Sequence, residues 1–183
     1  MKIIAGTLKG RKVLVPTGKR VRPTGAKVKE ALFSIIADEI IDARVLDVFS
    51  GSGSVGIEAL SRGASTCTFV ERDKNVIDVL SKNLSVFGLE KVGKILPLEA
   101  KRAMKLLEKQ GETFDIIFLD PPYSYFVKTK RIVESLSYGG ILASEGLLVW
   151  EHAVDTTPHE KLGSLIRERE KKYGDTVLSF YRA

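Results

Sequence analysis

The sequence predicts an α/β fold, a mostly parallel, doubly wound sheet with an antiparallel hairpin at its carboxyl-terminal end. Three observations carry this. From Val45 to Leu119, short apolar runs alternate with longer stretches of helical periodicity. A glycine-rich turn, Ser50-Gly51-Ser52-Gly53-Ser54-Val55-Gly56, joins one apolar run to one of those helices. The closing segments Ile166 to Tyr173 and Thr176 to Tyr181 flank a Gly174-Asp175 turn.

The 183 residues fit one domain, or one domain with a small appendage. We expect a basic hairpin arm over 1–24 and an α/β domain over 25–183. No apolar run reaches transmembrane length, and the start, Met1-Lys2-Ile3-Ile4-Ala5-Gly6, lacks the apolar core of a signal peptide, so a cytoplasmic location is expected. A lone cysteine, Cys67, excludes an intramolecular disulfide, and two histidines, His152 and His159, provide no zinc-ligand spacing. No metal is expected. The net charge of +6 is unevenly spread: residues 1–30 hold nine Lys and Arg against Glu30 alone, a net +8 that leaves −2 for the rest. Concentrated positive charge of this kind suits a phosphate backbone.

In chain order, Lys2 to Gly6 and Lys12 to Val15 read as two short strands joined through Lys9-Gly10-Arg11, a hairpin too small to bury much alone. Arg20-Val21-Arg22-Pro23-Thr24 leads into a helix with Thr24 as N-cap, whose apolar stripe is Val28, Ala31, Leu32, Ile35, Ile36 and Ile40. A strand over Val45 to Phe49, the glycine turn, a helix from about Val55 to Arg62 and a strand from Ser65 to Val70 ending in Glu71 form a right-handed βαβ unit. The alternation continues with a helix from Lys74 to Phe87 closed by Gly88, a strand near Lys94 to Leu98, a helix from Ala100 to Gln110 and a strand from Phe114. A further helix near Lys128 to Leu136, a buried strand over Gly146 to Trp150 and a loop with a short helix over Thr156 to Leu165 complete the body. Arg167, Arg169 and Lys171 mark the solvent face of the terminal hairpin. Cys67 and Trp150 read as core, and the two histidines as surface or strand-end residues.

Chemistry concentrates in two places. In Phe114 to Tyr123, F-D-I-I-F-L-D-P-P-Y, an apolar strand ends in Asp120. Pro121 keeps Asp120 out of the α region and Pro122 does the same to Pro121, so the turn is stiff and its carbonyls lack helical donors. With the ring of Tyr123, it offers two acceptors and a flat apolar face, equipment for an amino group on a planar ring; a Pro-rich stop with Tyr123 in the core accounts for the same residues. The second place is the glycine turn. Gly51-x-Gly53-x-x-Gly56 matches a dinucleotide fingerprint, with Glu71 where a ribose-binding carboxylate belongs. Asp47, in the preceding strand, opposes a pyrophosphate on the helix N-terminus and favours a cationic ligand such as S-adenosylmethionine, which carries a sulfonium, an α-amino group and a ribose. A tight turn beside an exposed Asp47 is the structural alternative. Exocyclic amines on bases are poor nucleophiles because the lone pair is conjugated into the ring. Acceptance of one N–H each by the Asp120 carboxylate and the Pro121 carbonyl would turn that lone pair toward a methyl group, with Tyr123 stacked on the base.

The runs V-L-D-V-F-S-G-S-G-S-V-G-I-E-A-L-S-R-G-A, F-V-E-R-D and L-D-P-P-Y together resemble the class I (Rossmann-like) methyltransferases. More narrowly, I-I-A-G-T-L-K-G-R-K and R-P-T-G-A-K-V-K-E-A-L-F-S-I-I resemble the RsmD family, bacterial enzymes that methylate a guanine N2 in 16S ribosomal RNA; the likeness spans roughly residues 2 to 151. The resemblance implies S-adenosyl-L-methionine as cofactor, with Asp47, Gly51 and Gly53 at its methionine end and Glu71 on the ribose. Thr24, Ser50, Arg72, Ala100 and Asp120 complete the implied cofactor set, with Glu99 toward the adenine, where Leu98-Glu99-Ala100 departs from the Gly-Asp-Ala common in the family. Asp120, Pro121, Pro122 and Tyr123 would hold the target base, and Lys9, Arg11, Lys12, Arg20 and Arg22 the phosphates of the ribosomal RNA or small subunit. Two other readings remain open: an adenine-N6 methyltransferase on DNA or RNA, which uses the same acceptor-Pro-Pro-aromatic turn, and a non-catalytic RNA-binding assembly factor that retains the fold. A dehydrogenase would have no evident use for Asp47 and the Asp120 turn.

Overall fold

Eight strands form one sheet in the order β3-β2-β1-β4-β5-β8-β7-β6. The computed structural model describes residues 1–16, 25–122, 132–133, 140–156 and 158–182. Its strands are β1 (Arg44–Val48), β2 (Thr66–Val70), β3 (Gly93–Leu96), β4 (Phe114–Leu119), β5 (Leu142–Ala153), β6 (Lys161–Leu162), β7 (Leu165–Tyr173) and β8 (Thr176–Arg182). The first five are parallel, and β8, β7 and β6 extend the sheet in antiparallel pairings. The expected α/β class, with its carboxyl-terminal hairpin, is therefore the observed one.

The central strands are largely apolar because both faces are covered. On one face Val45, Cys67, Phe69, Ile116 and Phe118 pack with α1 (Ala26–Ile35), α2 (Ser54–Ser61) and α3 (Lys74–Phe87). On the other, Leu46, Val48, Ile117, Leu119 and Trp150 pack with α4 (Ala100–Lys109) and with Ile132 and Val133. Those two residues are the only described part of the helix expected near 128–136. Helix α3 has the caps its sequence promises: the Asp73 carboxylate accepts from Asn75 and Val76 N–H, and Gly88 closes the helix at φ +70°.

Several local expectations are corrected. The N-cap position of α1 is Gly25, without a side-chain cap, and the helix ends at Ile35. Ile40 reaches the core from the turn that follows, because the chain must reverse there to enter β1. The amino-terminal hairpin reduces to one antiparallel bridge, Lys2 with Lys12. Its neighbours Ile3 and Val13 are 2% and 3% exposed and join the α1–α3 face of the core. The segment lies so close to the end of α2 that a Cβ on Gly6 would stand 1.7 Å from the Ser61 carbonyl oxygen. In place of a short helix before Leu165, β6 pairs with the start of β7. A bulge between Arg167 and Arg169 breaks the expected alternation, leaving Arg167 half-buried beside Glu170. His152 is a strand-end residue, next to last in β5, but it is buried: its Nε2 lies 2.9 Å from Ser179 Oγ, and burial lowers its pKa.

Candidate active site

Strand β1 has β2 on one side and β4 on the other, so the sheet changes winding direction between β1 and β4, where open α/β sheets bind ligands at the carboxyl ends of their strands. The glycine turn leaves β1 there. Phe49 takes φ +66°, a left-handed conformation costly for an aromatic residue, and Gly51 and Gly53 follow at +54° and +83°. Main-chain bonds hold this path: Ser50 N–H to Val70 O and Gly53 N–H to Ser50 O. A Cβ on Gly56 would come within 2.3 Å of the Phe69 ring, so α2 can press against β2 only with glycine there. A Cβ on Gly51 would meet nothing within 4 Å, so the turn is open on that side.

Three carboxylates converge on this point. Glu71 Oε2 accepts from Gly51 N–H at 3.2 Å, and Oε1 from Arg72 and Asp73 N–H at 2.7 and 2.9 Å. A carboxylate has about four lone-pair sites, which leaves acceptor capacity for ribose hydroxyls. Asp47 is 4% exposed, and its Oδ2 accepts from Gly56 N–H at 2.9 Å. Burial pushes its pKa up to about 7; the Gly56 hydrogen bond opposes the rise, and the charges of Asp120 and Glu71 add to it. Asp47 is therefore buried, which speaks against the alternative of a tight turn beside an exposed Asp47. Its bond occupies a first-turn donor of α2, which a pyrophosphate would need. Asp120 is half-buried at the end of β4, with Pro121 buried and Pro122 exposed. Tyr123 and Thr24 lie outside the described residues. Ser50 is buried, Arg72 exposed, and Ala100 buried at the start of α4. Glu99 occupies the N-cap position of α4 with an exposed side chain that makes no cap hydrogen bond.

Two polar groups behind this site were not anticipated from the sequence. Lys29 of α1 and Glu58 of α2 are both 0% exposed and pair at 3.0 Å. Glu58 also accepts from Ile4 N–H, Ala5 N–H and Arg62 Nε, while Lys29 Nζ donates to Lys2 O and Ser54 Oγ. Burial opposes the Glu58 charge, but the hydrogen bonds from Ile4, Lys29 and Arg62 outweigh it and hold its pKa below the usual carboxylate range. Burial also lowers the pKa of Lys29, against the pull of Glu58. Asn83 of α3, 1% exposed, accepts from Leu14 N–H through Oδ1 and donates through Nδ2 to Leu14 O and Ser52 O. The available signals were Lys29 inside an apolar stripe and Asn83 between Leu80 and Leu84.

The basic segment is correspondingly smaller than its charge count. Lys29 is buried and cannot serve as an exposed cation. Lys9 and Lys12 are exposed. Arg11 is exposed but donates to Val86 O at 2.7 Å and lies 4.6 Å from the centre of the Phe87 ring. Arg20 and Arg22 lie outside the described residues.

The strand order, with its glycine turn beside an acidic Pro-Pro turn at the switch point, is that of the class I methyltransferases. A family model described as Conserved hypothetical protein 95 matches residues 1–182, and the chain belongs to that family. Among its relatives, YlbH of Bacillus subtilis (strain 168) is 37% identical over 182 residues, covering 100% of this chain and 98% of the relative. The ribosomal RNA small subunit methyltransferase D of Escherichia coli (strain K12) is 35% identical over 182 residues, with 100% and 89% covered, in keeping with the RsmD resemblance. The solved structure of yhhF from Escherichia coli superposes with a TM-score of 0.83 at 35% identity, covering 99% of this chain and 96% of that one.

Proposed function

We propose that the protein transfers a methyl group from S-adenosylmethionine to the exocyclic N2 of a guanine in small-subunit ribosomal RNA. The observation that carries this reading is the meeting of the glycine turn and the Asp120 turn at one switch point, Asp47 and Val48 of β1 lying in register with Phe118 and Leu119 of β4. The residues present fit the cofactor: the open side of Gly51, the remaining acceptor capacity of Glu71 and a half-buried Asp120 suit a ligand with a ribose and a cationic end. Bound there, S-adenosylmethionine supplies an electrophilic methyl group.

The chain's own task is to orient the amine. The Asp120 carboxylate and the Pro121 carbonyl are the acceptors for its two N–H groups, and Tyr123 is the stacking ring. Alignment of two bound reactants contributes about 7 to 11 kcal/mol to such a reaction. A general base contributes about 10²- to 10⁴-fold, or roughly 3 to 5 kcal/mol, so orientation is the larger part of the work assigned to Asp120. The target base must leave its stack at a cost of about a few kcal/mol, which favours an unpaired nucleotide. Lys9, Arg11, Lys12, Arg20 and Arg22 are the candidate contacts to the surrounding phosphates, with Thr24, Ser50, Arg72, Glu99 and Ala100 around the cofactor.

The deciding experiment supplies labelled S-adenosylmethionine with unmodified small subunits, naked ribosomal RNA or DNA, and identifies the product nucleoside by mass spectrometry. N2-methylguanine is expected. Methyladenine would replace the guanine assignment, and no transfer to any of the three would favour a non-catalytic RNA-binding role.

A further inference from the structure

We propose that the carboxyl-terminal part of β7, through Arg169, Lys171 and Lys172, is a second phosphate-binding surface for the RNA, an inference that rests on the RNA methyltransferase reading above. Strand polarity is the first support. Because β8 is antiparallel to β5 and β7 antiparallel to β8, β7 runs parallel to β4 and β5 and ends at the same rim as Asp120. Three strand spacings separate β7 from β4, about 14 Å, or roughly four phosphate steps along one nucleic-acid strand.

The second support is which side of the sheet these cations take. Arg169 is in register with Phe180 and Lys171 with Leu178. Both partners belong to the core face that includes Leu32 and Phe33 of α1 and Ile3 and Val13 of the amino-terminal segment. Opposed residues of neighbouring strands share a face, so Arg169 and Lys171 lie on the side that carries the segment with Lys9 and Lys12; Lys172, opposite Val177, takes the other side.

Charge balance is the third support. Each acid of β7 has a cationic partner within the protein, Glu170 in Arg167 at 2.7 Å and Glu168 in Arg182 at 3.1 Å, and the same two arginines also meet Glu160 and Glu39. Among the described residues, Arg169, Lys171 and Lys172 are exposed and have no ion-pair partner. The alternating acids and bases of the strand thus leave a net positive strip at the reactive rim. Cations on a bare strand also block edge-to-edge pairing, and β6 covers β7 only at Leu165 and Ile166. That role needs charge but no phosphate.

The test is a titration of a fluorescently labelled, unmodified fragment of small-subunit ribosomal RNA at several salt concentrations, comparing the wild-type chain with an Arg169→Ala, Lys171→Ala, Lys172→Ala variant. Each lost phosphate contact removes about 0.7 to 0.9 from the slope of log affinity against log salt, so the variant's slope should be shallower by roughly two units. Lys171→Arg with Lys172→Arg should retain the wild-type slope, and S-adenosylhomocysteine affinity should not change in either variant. A wild-type slope in the alanine variant, with or without new self-association in sedimentation, would overturn this surface while leaving the enzymatic reading intact. Failure of the wild-type chain to bind the RNA would instead overturn the reading beneath it.

Discussion

The glycine turn and the amino-terminal segment are neighbours held in different ways. The turn is secured by its own main chain and its nearest strand: Ser50 to Val70, Gly53 to Ser50 and Gly51 to Glu71. The segment is secured largely by side chains from three helices, Lys29 to Lys2, Glu58 to Ile4 and Ala5, Ser61 to Leu8, and Asn83 to Leu14. The two systems meet, since Asn83 also holds Ser52 and Lys29 also holds Ser54. A short turn is specified by backbone conformation and close packing. A segment with little core of its own needs buried polar groups to dock it, and here those groups also bear on the ends of the turn.

The largest effect should come from breaking the buried pair. Glu58→Ala strands Lys29 in the interior and removes the acceptor for Ile4 and Ala5 N–H, a loss of about 3 to 5 kcal/mol measured by urea unfolding. Lys29→Met with Glu58→Gln removes both charges and keeps an acceptor, so it should recover part of that loss; a double variant no better than Glu58→Ala would show that the charges are not the source. On the catalytic side, Asp120→Ala should lower kcat by about 10²- to 10⁴-fold. Asp120→Asn, which keeps an acceptor, should retain measurable turnover, and equal losses in the two would identify Asp120 as a base rather than an orienting group.

Asn83→Ala sharpens the contrast most directly. It leaves Leu14 and Ser52 main-chain groups without their partner and should cost about 1 to 3 kcal/mol. Because both regions hang on this amide, it should weaken RNA and S-adenosylhomocysteine binding together, whereas Glu71→Gln should affect the cofactor alone. A loss confined to one ligand would separate the two regions.

The last contrast is a pH dependence. Asp47 is held up to about 7, above its unfolded value, so between the ordinary carboxylate range and about 7 the folded chain binds a proton that the unfolded chain has released. Stability from this group is therefore greatest in acid and declines as pH rises through that window. Asp47→Asn removes the titration, so its melting temperature should gain on wild type from about pH 4 to about pH 7. A constant difference across that range would show that Asp47 does not titrate there.

Local patterns were the legible part. Helix α3 from Lys74 to Phe87 begins and ends where Asp73 and Gly88 place it, and the apolar runs of β1, β2 and β4 announce strands covered on both sides. The Gly51 to Gly56 spacing, Glu71 after β2 and Asp120 before two prolines mark the same rim. Beside these, β6 has too few residues for any periodicity, and α1 stops at Ile35 although its stripe extends to Ile40, because a turn can also bury an isoleucine.

By itself, the sequence determined which elements form and which residues can do chemistry, because helix periodicity, strand hydrophobicity and turn glycines act over a few neighbours. Only the tertiary structure decided which charges are available. Lys29 counts as part of a basic arm until Glu58, 29 residues further on, is found against it in the interior. Asp47 counts as an ordinary carboxylate until burial raises its pKa, a rise that the Gly56 N–H opposes without cancelling. Whether an ionisable side chain meets solvent or a distant partner is set by desolvation and pairing across the fold, and no local pattern encodes that.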